Sequence, residues 1–252
     1  MRTDKIAYFR FYAELNDFLP RQKQFVTFPY SFFGNPSVKD AIEALGVPHT
    51  EVDLILINQK SVDFSYRLQE SDFISVYPVF EMFDITTATR LRPAPLRVTK
   101  FILDVNLGKL ARKLRLLGFD TLYSNLYQDK EIVETALSEE RIILTRDIGL
   151  LKNKKITHGY WIRSTDSDSQ IREVVRRFDL YSSIHPFQIC LKCNGRIKSI
   201  AKEQVRNRLL PNTKKIFNEF FICDKCDAIY WKGSHYKGML EYIARIRSEH
   251  SE

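Results

Sequence analysis

FILDVNLGKLARKLRLLGFDTL, residues 101–122, contains a complete change of periodicity. The apolar run ending at Asp104 has the length of a buried strand, and Leu107, Leu110, Leu114 and Leu117 then recur at the spacing of one helix face. Gly118 stands where a left-handed cap would end that helix. The alternation continues downstream. FDTLYS reads as strand, DKEIVETALSEE as helix, RIILT as strand, DIGLLKN as a helical turn or two, THGYWIR as strand and SQIREVVRRF as helix. Strands alternating with helices at this pitch require right-handed crossovers and a mostly parallel sheet with both faces covered. Residues 99–185 are therefore expected to form an α/β domain.

The chain upstream has a different texture. In residues 1–90, IAYFRFYA, VDLILI and FISVYPV are rich in aromatic and β-branched residues and read as strands. One helix, SVKDAIEALG, has Ser37 and Asp40 placed as a capping box and Gly46 as its stop. This pattern predicts an α+β sheet with a helix across one face. The stretch TTATRLRPAPLR, with Pro93 and Pro95, predicts a linker at 91–98, because neither proline continues a strand ladder or a helix interior. Few contacts are expected to cross it, so residues 96–252 are expected to fold without the first module. Residues 186–252 are organised around cysteines, with a helix after Met239.

Composition narrows the function classes. The 252 residues are 44% hydrophobic with 9 Gly and 9 Pro, which excludes a disordered or low-complexity chain. No apolar run reaches the ~18 residues of a membrane span, and MRTDKIAYFR lacks a signal-peptide core, so a cytoplasmic protein without membrane contact is expected. The net charge of +8 is unevenly spread: residues 1–92 hold 10 Lys/Arg and 12 Asp/Glu, residues 93–252 hold 29 and 19. That basic surplus favours a polyanionic partner such as RNA, although solubility alone would also account for it.

Two kinds of metal site are predicted. Cys190-Leu-Lys-Cys193 and Cys223-Asp-Lys-Cys226 are two CxxC pairs with 29 residues between them. Four thiolates at tetrahedral positions would close the coordination of a structural Zn²⁺; redox pairs, an iron-sulfur cluster and disulfides are the weaker alternatives for an intracellular chain. The insert NGRIKSIAKEQVRNRLL is basic enough to meet nucleic acid, as a solvated loop would also be. The second site is acidic. Asp104 and Asp147 follow strands and Asp129 opens a helix, so all three fall toward the carboxyl ends of a parallel sheet, where ligands bind. Such carboxylates tolerate one another by sharing a hard cation, Mg²⁺ or Mn²⁺, with Asp166 or Asp168 as a fourth ligand. Each acid taken singly would serve equally well as a helix cap. Lys109, Arg112 and Lys113 project opposite the leucine seam, Arg115 lies on its flank, and Arg146 adjoins Asp147; together they predict a phosphate-binding surface.

These strings are similar to a known family. FILDVNLGKLARKLRLLGFDTL, DKEIVETALSEERIILTRDIGLL and the paired CxxC with YWKGSHY resemble the Mut-seven C-terminal domain family, a PIN-like RNase domain carrying a zinc ribbon, from about Phe101 to Tyr242. The resemblance implies that Asp104, Asp129 and Asp147 are the catalytic metal-binding acids. Asp-Val-Asn replaces the family's Asp-Gly-Met after the first acid, and Lys113 replaces a tryptophan. Residues 1 to about 85 resemble the ubiquitin-like β-grasp module that precedes this domain, through RFYAELNDFLP, SVKDAIEALGVPHTEVDLILIN and SVYPVFE. VFEMFDITTATR continues into the linker without the Gly-Gly of a sulfur carrier, so docking of a protein partner or presentation of substrate is expected of it. The resulting expectation is a metal-dependent ribonuclease. A non-catalytic RNA-binding or ribosome-associated adaptor, and an intramolecular β-grasp regulator of either, are the competing readings.

Overall fold

A computed structural model describes residues 4–78 and 99–249. The linker expected at 91–98 and the stretch VFEMFDITTATR, residues 79–90, lie outside the described residues. In chain order the strands and helices are β1 (Lys5–Phe11), β2 (Phe28–Phe32), α1 (Val38–Ala44), β3 (Val52–Ile57), β4 (Lys60–Val62), β5 (Phe73–Pro78), β6 (Phe101–Leu103), α2 (Gly108–Leu117), β7 (Thr121–Tyr123), α3 (Asp129–Ser138), β8 (Ile142–Thr145), α4 (Ile148–Leu151), β9 (Gly159–Trp161), α5 (Ser167–Arg177), β10 (Ile197–Ile200), α6 (Lys202–Val205), α7 (Pro211–Ile216), β11 (Phe220–Cys223), β12 (Ile229–Trp231) and α8 (Ser234–Ser248). They form two compact units, Met1–Val98 with Asp147–Trp161, and Thr99–Arg146 with Ile162–Glu252.

In the first unit the strand order is β2-β1-β5-β3-β4, with β1 and β5 parallel and the other pairings antiparallel. Strand alternation sends Ala7, Phe9 and Phe11 into the core and leaves Tyr8 and Arg10 on the opposite face. Val38, Ala41 and Ile42 of α1 close the core from one side, and the predicted capping box forms, with the Asp40 amide donating to Ser37 Oγ at 3.1 Å. This mixed sheet with one helix is the β-grasp arrangement that the sequence predicts.

The segment 147–161 was expected to belong wholly to the α/β domain, yet it draws partners from the first module. His49, 6% exposed, has Nδ1 2.6 Å from Glu43 Oε1 and Nε2 2.7 Å from the carbonyl of Ile156. Both ring nitrogens thus face acceptors, and burial holds the imidazole pKa below its usual value. The Trp161 amide donates to Glu51 Oε1 at 2.6 Å, and the Trp161 ring lies 4.9 Å from that of Phe18. This segment therefore takes its hydrogen-bond partners from the first module.

In the second unit β6 pairs in parallel with β7 on one side, Leu103 opposite Tyr123, and with β8 on the other, Leu103 opposite Leu144. The leucine seam of α2 is buried as its spacing requires: Leu110, Leu114 and Leu117 are 0% exposed. Gly118 stops the helix at φ 97°, and a Cβ there would lie 2.0 Å from the carbonyl oxygen of His185, so no other residue fits. Beyond α5 the chain forms the antiparallel sheet β10-β11-β12 over a small core of Val205, Leu209 and Phe220. Among the described residues no helix is long and apolar enough to cross a membrane.

His49→Ala should raise amide hydrogen exchange across residues 148–161 by about 5- to 150-fold, the equivalent of ~1–3 kcal/mol for unsatisfied buried partners, and leave 101–117 unchanged. Unchanged exchange in 148–161 would show that the His49 contact does not hold the segment.

Candidate functional site

The cysteines gather as their spacing predicts. The four Sγ atoms lie within 4.8 Å of one another, with 3.6 Å from Cys190 to Cys226 and 3.4 Å from Cys193 to Cys223. Both distances approach the ~3.8 Å edge of a tetrahedron with ~2.3 Å metal–sulfur bonds. All four thiols are free of disulfides. The two knuckles share one backbone device: Asn194 and Asp227, each directly after a second cysteine, take φ 68° and 55°, and their amides donate to the carbonyls of Cys190 and Cys223. Gly195 admits the second knuckle, since a Cβ there would sit 2.7 Å from Cys223 Sγ. Burial raises the Cys190 thiol, but the Tyr230 hydroxyl 3.0 Å away and the amides of Cys193 and Lys192 hold it down at about 6. Burial and the surrounding thiols push Cys193 up to about 12. Thiols this close cannot all ionise without a cation among them, so the donor set fits one thiophilic divalent ion and could bind zinc.

A polar network that sequence reasoning did not find ties the first knuckle to the α/β domain. Arg115, expected on an exposed basic flank, is 3% exposed. Its Nε donates to the carbonyl of Thr121 at 2.9 Å, and its Nη1 to those of Leu191 at 3.2 Å and Lys192 at 3.1 Å. It is a structural residue, unavailable as a phosphate contact, and this corrects the sequence assignment. Beside it Asp120 accepts from Arg141 Nη1 at 2.7 Å and from Asn194 Nδ2 at 2.6 Å, while Asn194 Oδ1 accepts from the Thr121 amide at 2.7 Å. Burial raises the Asp120 carboxyl, and the Arg141 and Asn194 bonds outweigh it, leaving the group below the usual carboxylate range. One legible signal was available: Asn194 directly follows a knuckle cysteine, a position that favours a left-handed residue able to bond outward.

The predicted acids occupy different environments. Asp104, 8% exposed, directly follows β6; its Oδ1 accepts from the Val105 amide at 2.5 Å and its Oδ2 from the Thr145 hydroxyl at 2.9 Å. Each oxygen keeps a further lone pair for a ligand. Asp129 is exposed in the first turn of α3, whose cap is formed instead by Gln128 with Glu131. Asp147 is exposed at the start of α4 and accepts from the Gly149 amide at 2.7 Å. Among the described residues the four cysteines are the one group of three or more potential ligands drawn within 4.8 Å, and Asp104 and Asp129 are not gathered in that way.

Both candidates for a fourth acid have other partners. Asp166 caps α5 by accepting from the Asp168 and Ser169 amides at 3.1 and 2.9 Å. Asp168 pairs with Lys113 Nζ at 2.8 Å. Lys113 also donates to Ser167 Oγ at 2.9 Å and lies 5.4 Å from the Tyr242 ring centroid, so it has turned from the basic face into a contact with α5 and α8. Lys109 and Arg112 are exposed as predicted. Arg146 is exposed and anchored through Nη1 to the backbone carbonyls of Arg163, at 3.1 Å, and Ser164.

A parallel α/β domain with a four-cysteine ribbon, preceded by a β-grasp module, defines the class. The chain belongs to the Mut7-C RNAse domain family, whose model matches residues 99–243, and the Mut7-C ubiquitin model matches residues 4–84 ahead of it. Comparison with curated proteins and with solved structures returns no match.

Arg115→Met should destabilise the second unit by about 1–3 kcal/mol, through buried carbonyls left without a donor, and should weaken metal retention by the cysteines while leaving the salt dependence of any RNA binding unchanged. Thermal melts, metal content and binding titrations read the three effects. A lowered salt slope would return Arg115 to the substrate surface.

Proposed function

We propose that this chain is a metal-dependent ribonuclease of the cytoplasm that hydrolyses RNA phosphodiester bonds. The observation behind the reading is the RNAse-family match over 99–243 together with the setting of Asp104, a carboxylate fixed through both oxygens at the carboxyl end of a parallel strand. In this division residues 99–185 perform the chemistry, 186–252 bind zinc and hold the fold, and 1–90 present substrate or a protein partner. Four free thiols suit a reducing compartment.

Asp104, Asp129 and Asp147 offer oxygen donors, the ligand chemistry of Mg²⁺ or Mn²⁺, and would hold the ion as carboxylates. Bound there, the cation would lower the pKa of an attacking water and offset charge building on the phosphate. The chain's own part is positional. The Val105 amide and Thr145 hydroxyl fix Asp104, so that it need not reorganise when a ligand arrives. Lys109 and Arg112, exposed on α2, supply cations for the RNA backbone, with Arg146 as a further contact held by its carbonyl partners. Attack of water forms one P–O bond and breaks another, and the released oxygen takes a proton from solvent.

Asp104→Asn should abolish Mn²⁺-dependent cleavage of RNA while leaving the melting temperature of metal-free protein equal or higher, because one buried negative charge is removed. Full activity in that variant would overturn the role of Asp104, and binding without cleavage by the wild type would favour the adaptor. Lys109→Ala with Arg112→Ala should lower the slope of log affinity against log salt by about 1.4, at ~0.7 per single-strand phosphate contact. Cys193→Ser or Cys223→Ser should reduce zinc in the purified protein from one equivalent to below about half. Iron in place of zinc in the wild type would overturn the assignment of that metal.

A further inference from the structure

The face of the β-grasp sheet opposite its core carries an aromatic ladder with no role in the chemistry above. Tyr8 of β1 stands opposite Phe73 of β5, and their rings stack at 4.9 Å and 14°. Two residues along, Arg10 stands opposite Ser75. Two further, the rings of Tyr12 and Tyr77 stack at 4.2 Å and 13°, and the Arg10 guanidinium lies 5.3 Å from the Tyr12 centroid. Phe73 is 57% exposed, Arg10 is exposed, and Tyr8, Tyr12 and Tyr77 are half-buried. A shallow pocket lined by Leu56, Asn58, Gln59, Phe73, Ser75 and Tyr77 adjoins the ladder.

Strand folding alone does not explain this pattern. Alternation requires only that Ile6, Tyr8, Arg10, Phe73, Ser75 and Tyr77 point away from the core, where serine, threonine or lysine would ordinarily meet water. Four aromatic rings instead remain in contact with solvent around one cation. The charge is also selective. The module carries more acids than bases over residues 1–92, 12 against 10, yet the outward positions of β1 and β5 hold no acid and one arginine. The face thus offers stacking surfaces on either side of one cation, which suits an anionic ligand with flat π-surfaces.

We propose that this face binds single-stranded RNA, with bases stacking on the Tyr8–Phe73 and Tyr12–Tyr77 pairs and a phosphate meeting Arg10 between them. From Tyr8 to Tyr12 the strand rises ~13 Å, a span suited to the two or three bases that aromatic sheet faces stack in other RNA readers. Base–aromatic stacking tolerates any sequence, so the module would give affinity and reach rather than base preference. The inference rests on the reading that this chain acts on RNA, but it concerns binding and does not depend on cleavage.

The test uses the full chain and a 2′-O-methyl oligouridine of about 12 nucleotides, within the usual site sizes for such faces. This probe lacks the 2′-hydroxyl as a nucleophile and is read by fluorescence anisotropy in the absence of added Mg²⁺ or Mn²⁺. Phe73→Ala should weaken binding about 5- to 150-fold, the range of one lost stack. Affinity for an abasic oligomer of the same length should stay constant. Arg10→Glu, a change at an exposed position, should weaken both probes and lower the salt slope by at least ~0.7. Circular dichroism and zinc content of both variants should match the wild type. Equal affinity of wild type and both variants for oligouridine overturns the proposal and leaves the nuclease reading standing, since that reading is decided by Mn²⁺-dependent cleavage and Asp104→Asn. Unaltered RNA binding with loss of a dimer in sedimentation would instead identify the face as a contact between copies of this chain. If the wild type binds through this face but cleaves no RNA, the nuclease reading fails and the proposal stands.

Discussion

The buried guanidinium of Arg115 joins a helix, a strand and a cysteine knuckle, and the second unit depends on it. A cation at 3% exposure is costly to desolvate, and burial does push the Arg115 pKa down. Opposing that cost are three backbone carbonyls and the nearby Cys190 and Cys193, which as thiolates favour the protonated guanidinium. A dication held by four thiolates would carry a net charge of −2, and such a cluster and the arginine would each lower the cost of burying the other. The ribbon is consequently more than an appended module, because its first knuckle completes the hydrogen bonding of α2 and β7.

Asp120 extends the same constraint. It sits between Arg141, whose guanidinium also donates to the Phe101 carbonyl at 3.1 Å, and Asn194, which caps the knuckle. Folding holds its pKa below the unfolded value. The stability it contributes is thus fully present above about pH 4 and is lost as pH falls through the folded value. Protonation would leave Arg141 paired through Glu139, at 2.7 Å.

Local periodicity made most of the architecture legible. The leucine seam of α2, the Ser37 capping box, the Gly118 stop and each single CxxC depend on residues a few positions apart, and each has the predicted form. What the sequence concealed is non-local. Arg115 sits one position after Leu114 at the edge of the seam, and whether that edge meets water or a knuckle depends on residues 191 and 192, some 76 positions on. Lys113 left the basic face for a like reason, as Ser167 and Asp168 are 54 and 55 residues distant and become its neighbours only when α5 packs on α2. The candidate acids were legible as strand-end residues, but their capping bonds and their separation are properties of backbone geometry that residue identity does not encode.

Asp147 illustrates why the first module matters to an acid that follows a strand of the second unit. The chain leaves the second unit after Arg146 and returns to it at Ile162. Between these points it is held by Glu51 at the Trp161 amide and by His49 at the Ile156 carbonyl. The Asp147 carboxylate is itself fixed by the Gly149 amide, two residues into the same segment. A short helix of four residues has little stability of its own, since nucleation is unfavourable and tertiary contacts must supply the rest. α4 packs against β9, whose Trp161 amide is held in turn by Glu51. His49 and Glu51 of the β-grasp module therefore hold the segment that begins at Asp147, which packs with them in one compact unit.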